Sequence, residues 1–350
     1  MDDTFEASEM TMTHDTSGTR PSPTLEMVAA HAGVSRATVS RVVNDTPSVD
    51  PELVRIVQKS ITELNYIPNR VARSLASRRT NSIAVVVPES TSKVFADPFF
   101  ASVVEGIALH LTETDYTLNM VIASESRPEK TRGFLLGGNV DGVLVVSHHI
   151  GDHSWTHLSG APPMVLAGRP LDGGEDSYYV EVDNAQAAFG ATNLLLERGR
   201  RNLAIIAGRQ DMPPGIDRLA GWRAAVEGAG LTGELVEIGD FTFDSGAAAM
   251  QRLLDRDVTI DAVFAANDQM AAGAYTTIQS RGLSIPDDVA VVGFDDDAFA
   301  LSVTPQLTTV HHPIVELGKK MAEILVDRIE GRPAERVTRM ATSLTLRDSV

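Results

Sequence analysis

The sequence predicts a two-part chain: a small all-α helix-turn-helix module followed by an α/β body of two doubly wound parallel-sheet lobes. Three observations carry that expectation. Residues 24–65 break into three short helix-length segments, each opened by a capping residue. From residue 82 onward, continuous Val/Ile/Leu runs alternate with amphipathic stretches, the texture of buried parallel strands joined by helices. That alternation continues through the 350-residue chain, more than one sheet comfortably holds.

The elements follow in order. Residues 1–23 are acidic and rich in Ser and Thr, and are expected to be a disordered tail. Thr24 can cap a first helix, LEMVAAHA, which Gly33 ends. Ser35 can cap a second, RATVSRVVN, with Val39, Val42 and Val43 on one face. Asp50-Pro51-Glu52 opens a third helix running to about Leu64, and Pro68 bars its continuation. This headpiece spans 24–68. Residues 69–80, within NRVARSLASRRTN, form a short helical linker carrying four arginines. The body, 81–350, then reads as strand and helix in turn: SIAVVVPE, FFASVVEGIALHLTETD, LNMVIAS, a helix near 127–138, DGVLVVS, PMVLAG, AQAAFGATNLLLERG, NLAIIAG, RLAGWRAAVEGAG, AVFAAND, QMAAGAYTTIQSRG and VAVVGFD. The expected division is a first lobe of 81–180 plus 311–338 and a second of 181–310 plus 339–350. In such sheets ligands sit beyond the carboxyl ends of the strands, so two facing lobes would hold one between them.

Composition narrows the function. The hydrophobic fraction is 43%, ample for a core, and cysteine is absent, which removes disulfides and thiolate chemistry. No apolar run reaches membrane-spanning length, and the first 20 residues lack the apolar stretch of a signal peptide, so a cytoplasmic location with no membrane partner is expected. The net charge is −17, but it is unevenly spread: residues 1–19 carry −5, residues 20–81 carry +4 and the remainder −16. A basic module on an acidic body suits a protein that meets phosphate with one end only.

The segment AHAGVSRATVSRVVN has helix-turn-helix spacing. Small Ala29, Ala30 and Ala32 let two helices approach, Gly33 permits the turn, and Ser35 starts a helix presenting Arg36, Ala37, Thr38, Ser40 and Arg41. Arginine can read guanine bidentately, and Ala and Thr can touch a thymine methyl. In the body, Phe99-Phe100 after Asp97-Pro98 offers aromatic faces for the C–H face of a sugar or for a nucleobase. Arg218 opens a helix with donors suited to adjacent hydroxyls, while Asn267 and Asp295 end strands where such sheets present ligand groups. Each also has a plain structural reading: core pair, surface ion pair, helix cap.

The stretches VSRATVSRVVN and LNYIPNRVARSLA, followed by DPFF, RLAGW, AAND and VVGFDD, closely resemble the lactose-repressor/galactose-repressor (LacI/GalR) family over nearly everything after residue 23. Met27 departs from it, standing where the family usually has an acidic residue. The resemblance implies lobes of the periplasmic-binding-protein type. It implies that Arg36 and Ala37 set operator preference, that Ser35, Thr38, Ser40, Arg41 and Asn44 contact bases or phosphates, and that Tyr66 and Asn69 touch the DNA backbone; Thr24 belongs with this DNA-facing set. It implies a hinge helix over 69–77 whose Ala72 and Leu75 face the minor groove, where an apolar wedge unstacks a base step and bends the duplex. It also makes Arg218, Asn267 and Asp295 an effector-contacting trio, with Asp97, Phe99, Phe100 and Phe241 as neighbours. His312 lies near a lobe-crossing pocket position where relatives often carry Gln, and Arg169 is a further pocket donor.

The expected function is a DNA-binding transcriptional regulator, a repressor of carbohydrate-utilisation genes released from a palindromic operator by a mono- or disaccharide; a co-repressor-type regulator sensing a purine or other metabolite is the alternative. A symmetric dimer reads a palindrome, and no C-terminal leucine heptad is present, so a homodimer is expected. Enzyme signatures are missing: no GxxxxGK[ST] phosphate loop, no GxSxG elbow, no GxGxxG. His148, His149, Asp152 and His153 have metal-ligand spacing but lie in a Gly-containing loop, and neither a metal nor a cofactor is expected.

Overall fold

The computed structural model describes residues 23–44, 49–67, 79–123, 128–150, 160–171 and 176–350. It separates into two compact units, residues 1–78 and 79–350. The expected tail falls almost wholly outside the described residues, as do Asn69, Ala72 and Leu75 of the expected hinge helix.

The first unit holds α1 (Leu25–Ala32), α2 (Arg36–Val43) and α3 (Pro51–Glu63). Each start is fixed by the cap read from sequence: Thr24 accepts from Met27 N, Ser35 from Thr38 N and Asp50 from Glu52 N. Gly33 ends α1 at φ 66°, a left-handed turn that glycine adopts without a Cβ penalty. Val28, Ala29, Val39, Val57 and Tyr66 form the core, with Val42, Val43 and Ile61 packed against it.

The second unit contains two six-stranded sheets. The first has the order β11-β5-β4-β3-β1-β2, from β1 (Ser82–Val87), β2 (Thr117–Ile122), β3 (Gly142–Val145), β4 (Met164–Ala167), β5 (Tyr179–Val182) and β11 (Val337–Met340). The second has the order β12-β10-β9-β8-β6-β7, from β6 (Leu203–Ala207), β7 (Val236–Ile238), β8 (Ala262–Ala265), β9 (Ala290–Asp295), β10 (Thr308–His311) and β12 (Ser343–Thr345). Among the described residues the strands pair in parallel, except β12, which runs antiparallel to β10.

Buried strands of period two feed both faces. On β1, Ile83, Val85 and Val87 enter the core beneath α5 (Pro98–Leu111) and α12 (Ile314–Ile329), while Ala84 and Val86 enter the one beneath α6 (Pro128–Leu136). On β6, Leu203, Ile205 and Ala207 meet α7 (Asn184–Glu197) and α8 (Pro213–Gly228); Ala204 and Ile206 meet α9 (Phe243–Leu254) and α10 (Asp268–Ser280). Two short helices, α4 (Thr91–Ala96) and α11 (Ala298–Ser302), follow β1 and β9.

The described backbone crosses between lobes after β5, after β10 and after β11. Each crossing falls one or two residues later than expected: Glu181 and Val182 complete the pairing of β5 with β11, Arg339 and Met340 answer them, and His311 still pairs with Asp295 in the second sheet. The body also begins earlier than 81: the amides of Thr80 and Asn81 both donate to the Asp141 carboxylate at 2.8 Å, anchoring the chain there.

Candidate functional site

In the first unit, the amino-terminal turns of α2 are the chemically rich surface. Ser35, Arg36, Ala37, Arg41 and Asn44 are exposed; Thr38 and Ser40 are half-buried. Thr38 is held by Ser35, Oγ1 to Oγ 2.9 Å, and Asn44 Nδ2 donates to Ser40 Oγ at 3.4 Å. Arg36 Nε lies 2.9 Å from Glu26 Oε1, an exposed pair worth little that leaves the guanidinium easy to redeploy. Thr24 is exposed but spends its hydroxyl on the α1 cap. Tyr66, at 9% exposure, also packs its ring into the headpiece core.

In the second unit, a cleft opens where the carboxyl ends of both sheets face each other. An inner chamber of about 100 Å³ is lined by Asp97, Phe99, Phe100, Arg218, Phe241, Asn267 and Asp295, together with Ser147, His148 and Lys93. It shares Lys93, Asp97 and Phe241 with an outer chamber of about 920 Å³.

Arg218 dominates the inner chamber. It is 4% exposed, lies 3.5 Å over the Phe294 ring, donates Nε to Asn184 Oδ1 at 2.9 Å and Nη1 to Ala266 O at 2.5 Å, and keeps Nη2 3.7 Å from Asp295 Oδ1. A buried guanidinium needs such partners. Asp295 sits at φ 111°, a left-handed conformation rare for a residue with a side chain. Its Oδ1 also lies 3.3 Å from Nδ1 of His312, which is buried and stacks obliquely on Phe99 at 6.3 Å between centroids. Burial pulls the His312 pKa down, against the raising pull of Asp295.

Asn267 caps α10, its Oδ1 accepting from Met270 N at 3.0 Å while Nδ2 donates to Phe241 O at 2.9 Å. It therefore combines the structural and ligand-facing readings. Phe241 has φ 71° and fits over Gly208 so closely that a Cβ there would lie 2.0 Å from its Cζ. Phe100 is likewise both core, at 3% exposure, and chamber wall. Asp97 caps α5 through Phe99 N at 3.0 Å; burial, reinforced by the Asp295 charge, pushes its carboxyl up to about 6. The same causes push Asp297 up to about 7 and Asp268, bonded to Thr309, well above the carboxylate range.

Arg169 is a correction. It lines neither chamber; its guanidinium is bidentate to Asp217 of α8, at 2.6 and 3.3 Å, so it ties the lobes together instead of facing a ligand. His312 is outside the chamber linings as well, in contact with Asp295 and Phe99, which line the inner one. Sequence reasoning missed a second tie: His149 Nε2 stands 3.0 Å from Glu89 Oε1, and its Nδ1 3.3 Å from Asp211 Oδ2. Burial works against the Glu89 charge, but His149, Lys93 and Ser147 outweigh it and hold the carboxyl at about 2. His148 and His149 are thus engaged in hydrogen bonds, and the described residues contain no cluster able to hold a metal.

A helix-turn-helix with a polar reading face, followed in the same chain by a two-lobed body whose cleft gathers a buried Arg, Asp and Asn among aromatic rings, defines a ligand-responsive, DNA-binding regulator of transcription. Comparison with known proteins agrees. Residues 24–69 match "Bacterial regulatory proteins, lacI family" and residues 192–350 match "Periplasmic binding protein-like domain". The chain is 45% identical over 336 residues to the HTH-type transcriptional regulator CelR of Thermobifida fusca, covering 94% of this chain and 99% of that one. A solved CelR–cellobiose complex aligns with TM-score 0.74 at 42% identity, over 94% of this chain and all of that one. A lac repressor dimer bound to operator and the anti-inducer ONPF aligns with TM-score 0.82 at 25% identity, over 93% and 98% of the two chains. The chain belongs to the lacI family, whose members are transcriptional regulators and not enzymes. No helix among the described residues is long and apolar enough to cross a membrane.

Proposed function

We propose that this chain is a cytoplasmic, homodimeric repressor of carbohydrate-utilisation genes, without catalytic activity, that leaves a palindromic operator when a small saccharide enters the interlobe cleft. One observation carries the saccharide reading: a buried guanidinium, a carboxylate and an amide (Arg218, Asp295, Asn267) converge on a chamber walled by Phe99, Phe100 and Phe241. Fork donors and an acceptor suit vicinal hydroxyls, and ring faces suit the C–H face of a pyranose. The likeness to CelR, solved with cellobiose, makes that disaccharide the first candidate. In the headpiece, Arg36 and Ala37 read bases, with Ser35, Thr38, Ser40, Arg41 and Asn44 beside them. A saccharide touching both lobes favours one lobe arrangement and can shift operator affinity only by its differential affinity for the two.

The test begins with an operator selected from random DNA by the full-length protein. Gel shifts on it with and without cellobiose should show operator affinity falling 5- to 150-fold, the usual span of allosteric coupling. Tighter binding with saccharide would reverse the sign of the switch, and no change with any saccharide would remove the sugar reading.

A further inference from the structure

Asp141, the residue before β3, holds the start of the body in a clamp. Its Oδ1 accepts from Thr80 N at 2.8 Å and from Thr80 Oγ1 at 2.9 Å, and its Oδ2 accepts from Asn81 N at 2.8 Å. Its own amide donates to Ser82 O at 2.8 Å, so the hold is reciprocal. From the other side Thr117, at the start of β2, donates to Asn81 O twice, from N at 2.9 Å and from Oγ1 at 3.1 Å. Asn81 itself sits at φ 50°, a left-handed turn just before β1. Such a conformation persists where its surroundings over-determine it, and it recurs at switch regions.

The clamp stands at one end of two strands whose other ends reach the cleft. β1 and β3 pair in parallel, from Ile83 with Gly142 to Val86 with Val145. Ile83 to Val87 and Val143 to Val145 are all 0% exposed, close-packed interior that transmits a displacement instead of absorbing it. Beyond β1, Glu89 lines the outer chamber; beyond β3, Ser147 lines the inner one. Ser147 Oγ donates to Glu89 Oε1 at 2.7 Å. The strand pair is thus tied side to side at both ends, and β1 spans about 20 Å between them. The unit that holds the headpiece ends at Arg78, two residues before Thr80.

We propose that Asp141 is a positioning residue for the switch: by clamping Thr80 and Asn81 to the β1–β3 pair, it turns a shift of Glu89 and Ser147 in the cleft into a shift of the point where the chain leaves for the headpiece. This rests on the reading above that the cleft controls operator affinity. Without the carboxylate, the same shift is lost as slack between Arg79 and Ser82.

The test uses the reciprocity of coupling: if an occupant of the cleft changes operator affinity, operator must change the cleft. Hydrogen exchange of the full-length protein, with and without the selected operator, therefore needs no saccharide. Wild type should show an operator-dependent change in peptides covering 86–93 and 144–150. Asp141→Ala should still bind operator but keep less than about a third of that change. Asp141→Asn, which retains one acceptor oxygen, should restore most of it. In gel shifts with cellobiose, Asp141→Ala should lose less than about threefold in operator affinity where the wild type loses 5- to 150-fold. Its cellobiose affinity by calorimetry should match the wild type. If Asp141→Ala folds poorly, Thr80→Val removes one donor, keeps the carboxylate, and should show an intermediate loss of the exchange change. No operator-dependent change in the wild type, or one that survives intact in these variants, overturns the proposal. Lower urea-unfolding stability with an undiminished operator response would likewise make Asp141 an anchor of the fold alone. An exchange change that depends on Asp141, in a protein indifferent to cellobiose, supports the clamp and removes cellobiose as the effector.

Discussion

Nδ1 of His149, in the first lobe, stands 3.3 Å from Oδ2 of Asp211 in the second, and the next residue repeats the tie, Ile150 N donating to Asp211 O at 2.7 Å. Both chambers draw their walls from both lobes, so contacts that hold this arrangement raise the fraction of molecules ready to bind. His149→Phe should therefore weaken cellobiose binding several-fold through a smaller competent fraction, with little change in operator affinity without sugar. Calorimetry on the variant checks this; unchanged affinity would mean the bridge does not bias the lobes.

Gly208→Ala should disable the floor of the cleft. The added Cβ would meet the Phe241 ring at 2.0–2.8 Å, and the ring must leave its place to accommodate it. The expected result is a folded protein that binds operator and no longer responds to saccharide at concentrations that release the wild type. A normal gel-shift response would show that Phe241 is dispensable.

Arg218→Ala should abolish the response outright, but it strips Asp295 of a guanidinium partner in a buried setting, which can cost up to about 3–5 kcal/mol. Arg218→Lys keeps the charge and loses the fork. It should retain most of the urea-unfolding stability and still lose saccharide binding; binding at wild-type strength would show that a point charge suffices there.

Asp297 gives the stability a pH signature. Burial, reinforced by the Asp295 charge, pushes its folded carboxyl up to about 7, against an ordinary value of 3.8. The fold favours the protonated form, so the charge costs stability increasingly as pH rises from about 4 to about 7. Asp297→Asn keeps the cap on Phe299 N, now made at 2.7 Å. It should match the wild type near pH 4 and exceed it by on the order of 1–2 kcal/mol at pH 8. Urea unfolding at both pH values decides; an equal difference at both would mean Asp297 titrates normally.

For the headpiece, Arg36→Ala should relax preference at one base pair per half-site and cost about 1–3 kcal/mol on the best operator. Operator selection with the variant reads this directly. An unchanged consensus would remove Arg36 from base reading and leave its pair with Glu26 as its role.

Much of this was written in local pattern. Caps at Thr24, Ser35 and Asp50 declare the helix starts, and strand-terminal Asn267 and Asp295 announce the cleft, because both depend on near neighbours in sequence. What stayed hidden depends on residues brought together late. Nothing around Arg169 distinguishes a pocket donor from a tie to Asp217, 48 residues away. Tyr66 in a polar stretch gives no sign that it closes the headpiece core. The exact crossing points escaped because strand register, not composition, decides which lobe residues 181–182 and 339–340 join.

The three crossings have a consequence for how the molecule is made and broken. Both sheets take an edge strand from the same late stretch, β11 and β12, and Ser349 closes the second lobe by accepting from Thr308 N and donating to Val291 O. During synthesis the helices of the headpiece are complete long before either lobe can finish its sheet. A premature stop or proteolytic cut just ahead of residue 337 removes a strand from both lobes at once, so it blunts the whole sensor instead of trimming one half of it.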